Sequence, residues 1–376
     1  MRKAKDWNQP CPDKKCEMYG QMNKGNIISK ATYPTKSGKR RIFKCNCCCR
    51  SFSETGDTVF SDLKTPEEKV VMALKMILMR ASLSGICHIL GVKEETILNW
   101  QDRACQKADM INKVLLKDVS VTEVQSDEMW SFVKKKMNGD KEGDITEKER
   151  CEAEEGRQWI QVSYAPEFRL IPAMVAGPRT FENALLLIQM TAGIVFGVPC
   201  FFSDGFSSYP PALIECYHLI KTFPKTGQRG RPKNPVKEPD KDLVYGQAVK
   251  ERKKGRIAGV THRIIVGAEK FLNSGLKIST SLLERQNLTI RHSLAPLGGK
   301  TLNFSKKRDN LKKQTVFFQA FYNFARPHMS LREKVETHDL LFVRRWAPGT
   351  PGMAAGLTDH VWSFRELLTV KSDHAP

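Results

Sequence analysis

The sequence has no apolar run long enough to cross a membrane. Its longest, Ala184 to Val198, carries Gln189 and Thr191 and stops short. The chain opens Met-Arg-Lys-Ala-Lys-Asp with no apolar stretch behind it, so no secretory leader is expected. Nor is there the even, dispersed cysteine set of a secreted disulfide framework: of 11 cysteines, six precede residue 50. No internal repeat is present. These absences predict a cytoplasmic, nucleoid-associated chain in a reducing compartment, without a membrane partner, whose clustered thiols are metal ligands before they are disulfides. Acid is also scarce, with 41 acidic against 61 basic side chains and a formal charge of +20. Such a surplus draws polyanions by steering and counterion release, which makes nucleic acid the first partner to consider.

At 376 residues with 40% hydrophobic side chains, two or three domains with a sizeable core are expected. Residues 1–60 are rich in Cys, Gly, Lys and Arg. Four residues separate Cys11 from Cys16, and two separate Cys45 from Cys48. Two cysteine pairs joined by a loop suit a tetrahedral zinc site, with Phe43 and Phe52 placed to pack beneath it. Cys47 and Cys49 stand beside the second pair as alternative ligands.

Residues 61–115 read as helical. Thr65-Pro66-Glu67-Glu68 starts a helix, and Val70, Leu74, Ile77 and Leu78 follow at helical spacing. Ser82 to Val92 leading into Lys93 to Trp100 has the short helix, glycine turn and second helix of a helix-turn-helix. Glu95, Thr96, Asn99 and Arg103 would then face a DNA groove, and the same residues also fit an ordinary helical hairpin.

From residue 118 to 332 the pattern is strand-strand-strand-helix-strand, an α/β unit with a mixed sheet. Strands are expected over 119–133, 159–165, 170–176 and 199–203, with helices over 181–192, 281–294 and 305–324. The stretch 221–256, basic and broken by four prolines, reads as an exposed insertion. Within it Arg229-Gly230-Arg231-Pro232 resembles the core of a minor-groove hook, where an extended Arg-Gly-Arg lies in a narrow groove. Beyond Pro327, and through a tail at 333–376, no periodic element is legible. No aromatic base-stacking surface is evident either, which argues against an RNA-binding zinc protein.

Three acids stand out. Asp127 interrupts an apolar strand, Asp204 ends another before Gly205, and Glu284 opens a helical stretch that also carries Asn287 and Arg291 on its polar face. Phosphodiester transfer with two divalent cations about 4 Å apart asks for such oxygen ligands, with Mg2+ or Mn2+ as the metal. Plainer readings exist: an edge-strand charge for Asp127 or Glu128, a turn former for Asp204, a surface ion pair for Glu284.

Taken together, these stretches resemble the transposases of bacterial insertion sequence one and its relatives. The matching phrases begin with Cys11-Pro12, Tyr19-Gly20, Phe43-Lys44-Cys45 to Cys48, Phe52-Ser53 and Leu63-Lys64-Thr65-Pro66. They continue with Asp127-Glu128-Met129-Trp130-Ser131-Phe132, Ser203-Asp204-Gly205-Phe206 with Tyr209, and Glu284 to Arg291. Lys300 to Ser305 and Asn323 to His328 complete a series that runs in the family's order from about residue 11 to 332.

The resemblance implies an N-terminal zinc-ribbon-like module, a helix-turn-helix and a ribonuclease-H-like catalytic domain with an acidic triad of Asp127, Asp204 and Glu284. It further implies double-stranded DNA as partner, namely the element's terminal inverted repeats and its target, and a homo-oligomer to join two ends. Asn287 and Arg291 would position phosphate. The triad intervals are 77 and 80 residues, the second longer than in compact members, and the basic insertion accounts for it. Two other functions fit the same modules: a non-catalytic DNA-binding regulator, and a metal nuclease that only hydrolyses.

Overall fold

The computed structural model describes residues 7, 9–35, 38–134, 155–223, 233–253, 256–298, 301–335 and 346–371. A small antiparallel sheet comes first, with β1 (Ile27–Thr35), β2 (Gly38–Cys45) and β3 (Ser51–Ser53) in that order. Its core is only Cys11, Cys16, Ile27, Phe43 and Cys45, with Trp7 and Phe52 packed alongside. So few apolar groups do not stabilise a fold unaided.

The helical stretch is three helices, α1 (Glu67–Leu78), α2 (Leu83–Leu90) and α3 (Glu94–Leu115). Pro66, not Thr65, is the residue before α1, so that helix starts without a side-chain cap. Ser82 caps α2 by accepting from the Gly85 N–H at 3.0 Å. Gly91 ends it with φ 60°, a left-handed conformation that favours glycine, and so turns the chain sharply into α3. In α3, Ile97, Trp100, Ala104, Ala108, Ile111 and Leu115 recur at spacings of three and four and form its buried stripe. Trp100 is 1% exposed. Trp100→Ala is expected to lower unfolding free energy by about 3–5 kcal/mol, the usual loss for a large aromatic left as a cavity. Urea denaturation of the two proteins would check it, a loss below about 1 kcal/mol contradicting this packing.

The principal sheet has six strands. Short strands β4 (Val119–Ser120) and β8 (Val195–Phe196) pair beside it. β5 (Glu123–Val133), β6 (Gly156–Ala165) and β7 (Leu170–Gly177) make an antiparallel meander. After α4 (Phe181–Ala192), strand β9 (Cys200–Ser203) lies parallel to β5, and α5 (Tyr209–Cys216) follows it. β10 (His218–Lys221) and β11 (Val236–Pro239) then form a separate two-stranded ribbon. β12 (Val244–Lys253) is parallel to β9, and β13 (Arg256–Val266) closes the edge antiparallel to it. The order is β13-β12-β9-β5-β6-β7.

Two expectations change here. Residues 244–253, read from sequence as part of the exposed insertion, are a strand inside the sheet. Leu243, Val244, Tyr245 and Ala248 are buried there, and the basic residues further along masked that short apolar run. β5 is an interior strand, flanked by β6 and β9, so Asp127 and Glu128 are not edge charges.

α6 (Ala268–Ser274), α7 (Ser281–Ser293) and α8 (Arg308–Ala320) complete the α/β unit, α8 continuing as a π-helical turn over Phe321–Ala325. Past Pro327 the chain is not wholly irregular. β14 (Glu333–Lys334) pairs with β15 (Trp346–Ala347), followed by α9 (Pro351–Ala354) and α10 (Phe364–Thr369). Trp362, Leu367 and Leu368 enter the main core, too few residues per helix to show a period in the sequence.

One buried cluster takes in Leu74 of α1, Trp100 of α3, Met129 of β5, Phe317 of α8 and Leu368 of α10. Asn112 on α3 donates to Gln319 Oε1 and to the Val316 carbonyl on α8, both at 3.4 Å. The 61–115 helices and the sheet therefore share a core across the sequence boundary near 115.

Candidate metal centres and nucleic-acid surface

The loop carrying Cys11 and Cys16 folds over the β2–β3 turn that carries Cys45 and Cys48. Short backbone bonds shape both turns: Cys16 N–H to the Asp13 carbonyl at 2.9 Å, and Cys45 N–H to the Arg50 carbonyl at 3.0 Å. The four sulfurs lie within 4.8 Å of one another. The closest approaches, 3.6 Å for Cys11–Cys48 and 3.9 Å for Cys16–Cys45, are far beyond a disulfide bond and suit thiolates around one ion. Cys47 and Cys49 are exposed and stand outside the group. Burial pushes the Cys11 thiol well up. Burial also acts upward on Cys45, but the N–H groups of Cys48 and Cys47 and the Asn26 amide outweigh it and hold that thiol at about 7. These cysteines can hold a zinc ion.

The second centre lies where β5 and β9 run side by side. Parallel register pairs Ser126 with Ser203, so Asp127 and Asp204 come next on the two strands. Carboxylate oxygens of Asp127, Glu128 and Asp204 lie within 4.8 Å of one another, an arrangement that can hold a divalent cation. The Phe206 N–H donates to Asp204 Oδ1 at 3.1 Å, and Asn287 Nδ2 on α7 donates to Asp127 Oδ2 at 2.8 Å. Asn287 is 4% exposed, and its Oδ1 is buried with no hydrogen-bond partner among the described residues.

Glu284 comes from the first turn of α7 but is not within that group. It accepts from Thr280 Oγ1 at 2.8 Å and pairs with Lys250 of β12. Glu128, Arg179 and Tyr209 complete the site that sequence reasoning did not assemble. Arg179 pairs with Glu128 and stands 3.9 Å from Asp204, its guanidinium stacked 4.2 Å from the Phe206 ring. The Tyr209 hydroxyl donates to Glu128 Oε2 at 3.2 Å. Asp127 and Glu128 are neighbours on a strand and so leave on opposite faces, which is why strand alternation gave no hint that they share a site. Arg179 carried no signal short of the fold.

Burial, then repulsion from Asp204, raises the Asp127 carboxyl to about 6; Glu284 adds to this, while the Glu128 N–H and Lys250 oppose it. Glu128 rises to about 7 through burial and Asp204, against Arg179. Asp204 is raised too, by burial first, against the Phe206 N–H, Arg179 and Lys250. Each acid keeps its proton to higher pH in the fold than in the unfolded chain. Ionising it therefore destabilises the fold: the penalty is absent below about pH 4, grows between pH 4 and 7, and is complete above. From 3.8 to about 6, the Asp127 share is on the order of 3 kcal/mol. Melting of metal-free protein is thus expected at lower temperature at pH 8 than at pH 5, with Mn2+ closing the gap. A gap that Mn2+ leaves untouched would count against a cation site.

The other sequence-nominated residues are dispersed. Thr96 is half-buried and Asn99 exposed on α3. Arg103 donates to Asn99 Oδ1 at 3.1 Å and to the Ser61 carbonyl at 2.5 Å, which ties its guanidinium to the protein itself. Lys306 reaches Glu94 at 3.8 Å, so the first turn of α3 lies against the 302–306 segment. Arg291 is exposed on α7, and Arg229 and Arg231 lie outside the described residues. Among the described residues no helix is long and apolar enough to cross a membrane.

No protein-family model matches the chain, and no curated protein matches it. Among solved structures it is similar to one described as the Mos1 transposase paired-end complex with left transposon end, at 14% identity. The similarity covers 39% of this chain and 55% of that one, with a TM-score of 0.16, too low to assign fold or activity.

Proposed function

We propose that this chain is a DNA transposase of the insertion-sequence-one type, with Asp127, Asp204 and Glu284 as its metal-binding triad. The observation that carries this reading is the pairing of Asp127 and Asp204 at adjacent parallel strands, with Glu284 and Asn287 brought over them by one helix. Carboxylates so confined resist ionisation, and a group of that kind is stabilised when a cation joins it. The antiparallel meander continued by two parallel strands supports the ribonuclease-H-like architecture.

When bound, Mg2+ or Mn2+ would activate the attacking oxygen and support the leaving one. The chain's own groups divide the remaining work. Asp127 and Asp204 would hold the ion, and Asn287 fixes the Asp127 carboxylate. Arg179 balances Glu128 and keeps it from repelling Asp204 fully. Lys250 pairs with Glu284 and partly offsets its charge beside the two aspartates. The cysteine module, with structural zinc, and α2–α3 would bind the terminal inverted repeats, and a homo-oligomer would bring two ends together.

The test is strand joining by purified protein on end-repeat DNA and target DNA with Mn2+ or Mg2+, run beside Asp204→Ala and Glu284→Ala. Joined product from the wild type alone supports the reading. Nicked but never joined DNA indicates a hydrolysing nuclease, and tight binding without either product indicates a regulator.

A further inference from the structure

Arg179 stands in the turn between β7 and α4. Asn183 closes that turn, its amide donating to the Pro178 carbonyl at 2.9 Å. A side chain at position 177 would collide with Asn183, so Gly177 is what lets the turn close. Three contacts then fix the guanidinium. Its Nε donates to Glu128 Oε1 at 2.6 Å, and its Cζ lies 4.2 Å from the Phe206 ring centre and 5.2 Å from that of Trp159. Phe206 is itself tied to Asp204 through its N–H, which keeps ring, guanidinium and acid in register.

A cation that only balanced Glu128 would share its burial. The Glu128 side chain is 2% exposed, whereas that of Arg179 is 37% exposed. Tyr209 already donates to the other Glu128 oxygen. On Arg179, Nε and Nη2 both face Glu128 Oε1, and Nη2 is 3.9 Å from Asp204. Its Nη1 has no hydrogen-bond partner among the described residues. Lys250, also at the acids, is instead paired with Glu284.

Arg179 thus offers an open N–H edge beside Asp204, and the planar fork of a guanidinium matches phosphate oxygens. A phosphate entering beside Asp127 and Asp204 meets negative charge, which a fixed cation offsets. Stacking on the rings settles the side chain in advance, so little freedom is lost when an anion is gripped.

We infer that Arg179 grips the attacked phosphate through its exposed edge while Glu128 holds the guanidinium in place. The inference rests on the transposase reading above, and it makes Arg179 a substrate contact as well as a counter-charge.

Binding is measured with the full chain in Ca2+ on two end-repeat duplexes, one intact and one with an uncharged methylphosphonate at the repeat's terminal linkage. The wild type is expected to bind the intact duplex more tightly. Arg179→Gln shrinks that ratio by roughly 10- to 150-fold, the range for a hydrogen bond to a charged group. Because Arg179→Gln alone leaves a buried carboxylate unpaired, it is also combined with Glu128→Gln. The double variant is expected to melt as a folded protein and to keep the reduced ratio. A ratio restored in the double variant means that Arg179 only balances Glu128 and overturns the inference, as does an unchanged ratio in Arg179→Gln. If the wild type joins strands with Mn2+ while Arg179→Gln keeps its full ratio, the phosphate contact is lost and the transposase reading stands. A wild type that binds both duplexes alike and joins none fails that reading, and the inference falls with it.

Discussion

Asp127→Asn is expected to abolish nicking and joining, by about 10^3-fold or more, while raising the melting temperature of the metal-free protein. The two effects have one cause. Asp127 is held near Asp204 and Glu128 in a site that disfavours its charge, which raises its carboxyl to about 6. The amide removes that charge at almost constant shape, and its Oδ1 can still accept from Asn287. Repulsion on Asp204 falls, so the empty site is less strained. The same change removes an anionic ligand, and transition-state charge at a phosphodiester depends on the cation it holds. Activity and thermal melts, each with and without Mn2+, read both signs. Lost activity together with lost stability would mean that Asp127 is structural and that the metal reading of this pair is mistaken.

Removing zinc should have the next largest consequence. The module before residue 60 buries little beyond Phe43, Ile27 and its own cysteines, so its order is expected to depend on a zinc ion held by them. Structural zinc in such modules contributes on the order of 10–16 kcal/mol, far more than that core can replace. Cys45→Ser is expected to release bound zinc, expose residues 9–53 to proteolysis and weaken binding of end-repeat DNA. The helices and sheet should persist, because their shared core runs from Leu74 to Leu368 without the cysteines. Cys47→Ser and Cys49→Ser, at exposed thiols outside the cluster, should retain one zinc per chain. Metal analysis of the three variants decides between these ligand sets, and zinc loss from Cys49→Ser instead of Cys45→Ser would overturn the assignment.

Arg179 illustrates why part of the site was not legible. It lies before α4 in sequence, 51 residues from Glu128, and nothing local distinguishes it from the chain's other basic residues. Only the meander's return past β6 and β7 brings its guanidinium between Glu128 and Asp204. Lys250 was hidden differently. It sat in a basic stretch that read as an exposed loop, whereas backbone pairing with β13 makes that stretch a strand, and the lysine pairs with Glu284.

What the sequence by itself determined is whatever depends on short spacing and local period. The paired cysteines, the α1 stripe, the meander strands, and the carboxylates within a strand, at a strand end and at a helix start are all of that kind, because hydrophobic periodicity and turn chemistry act over a few residues. The tertiary structure alone decided which cysteines converge, that β5 is interior, and that α1 through α3 share a core with the sheet. It also decided which cations stand over the acids. Those outcomes follow from register and packing between segments far apart in the chain, and burial and electrostatic partners are properties of that packing.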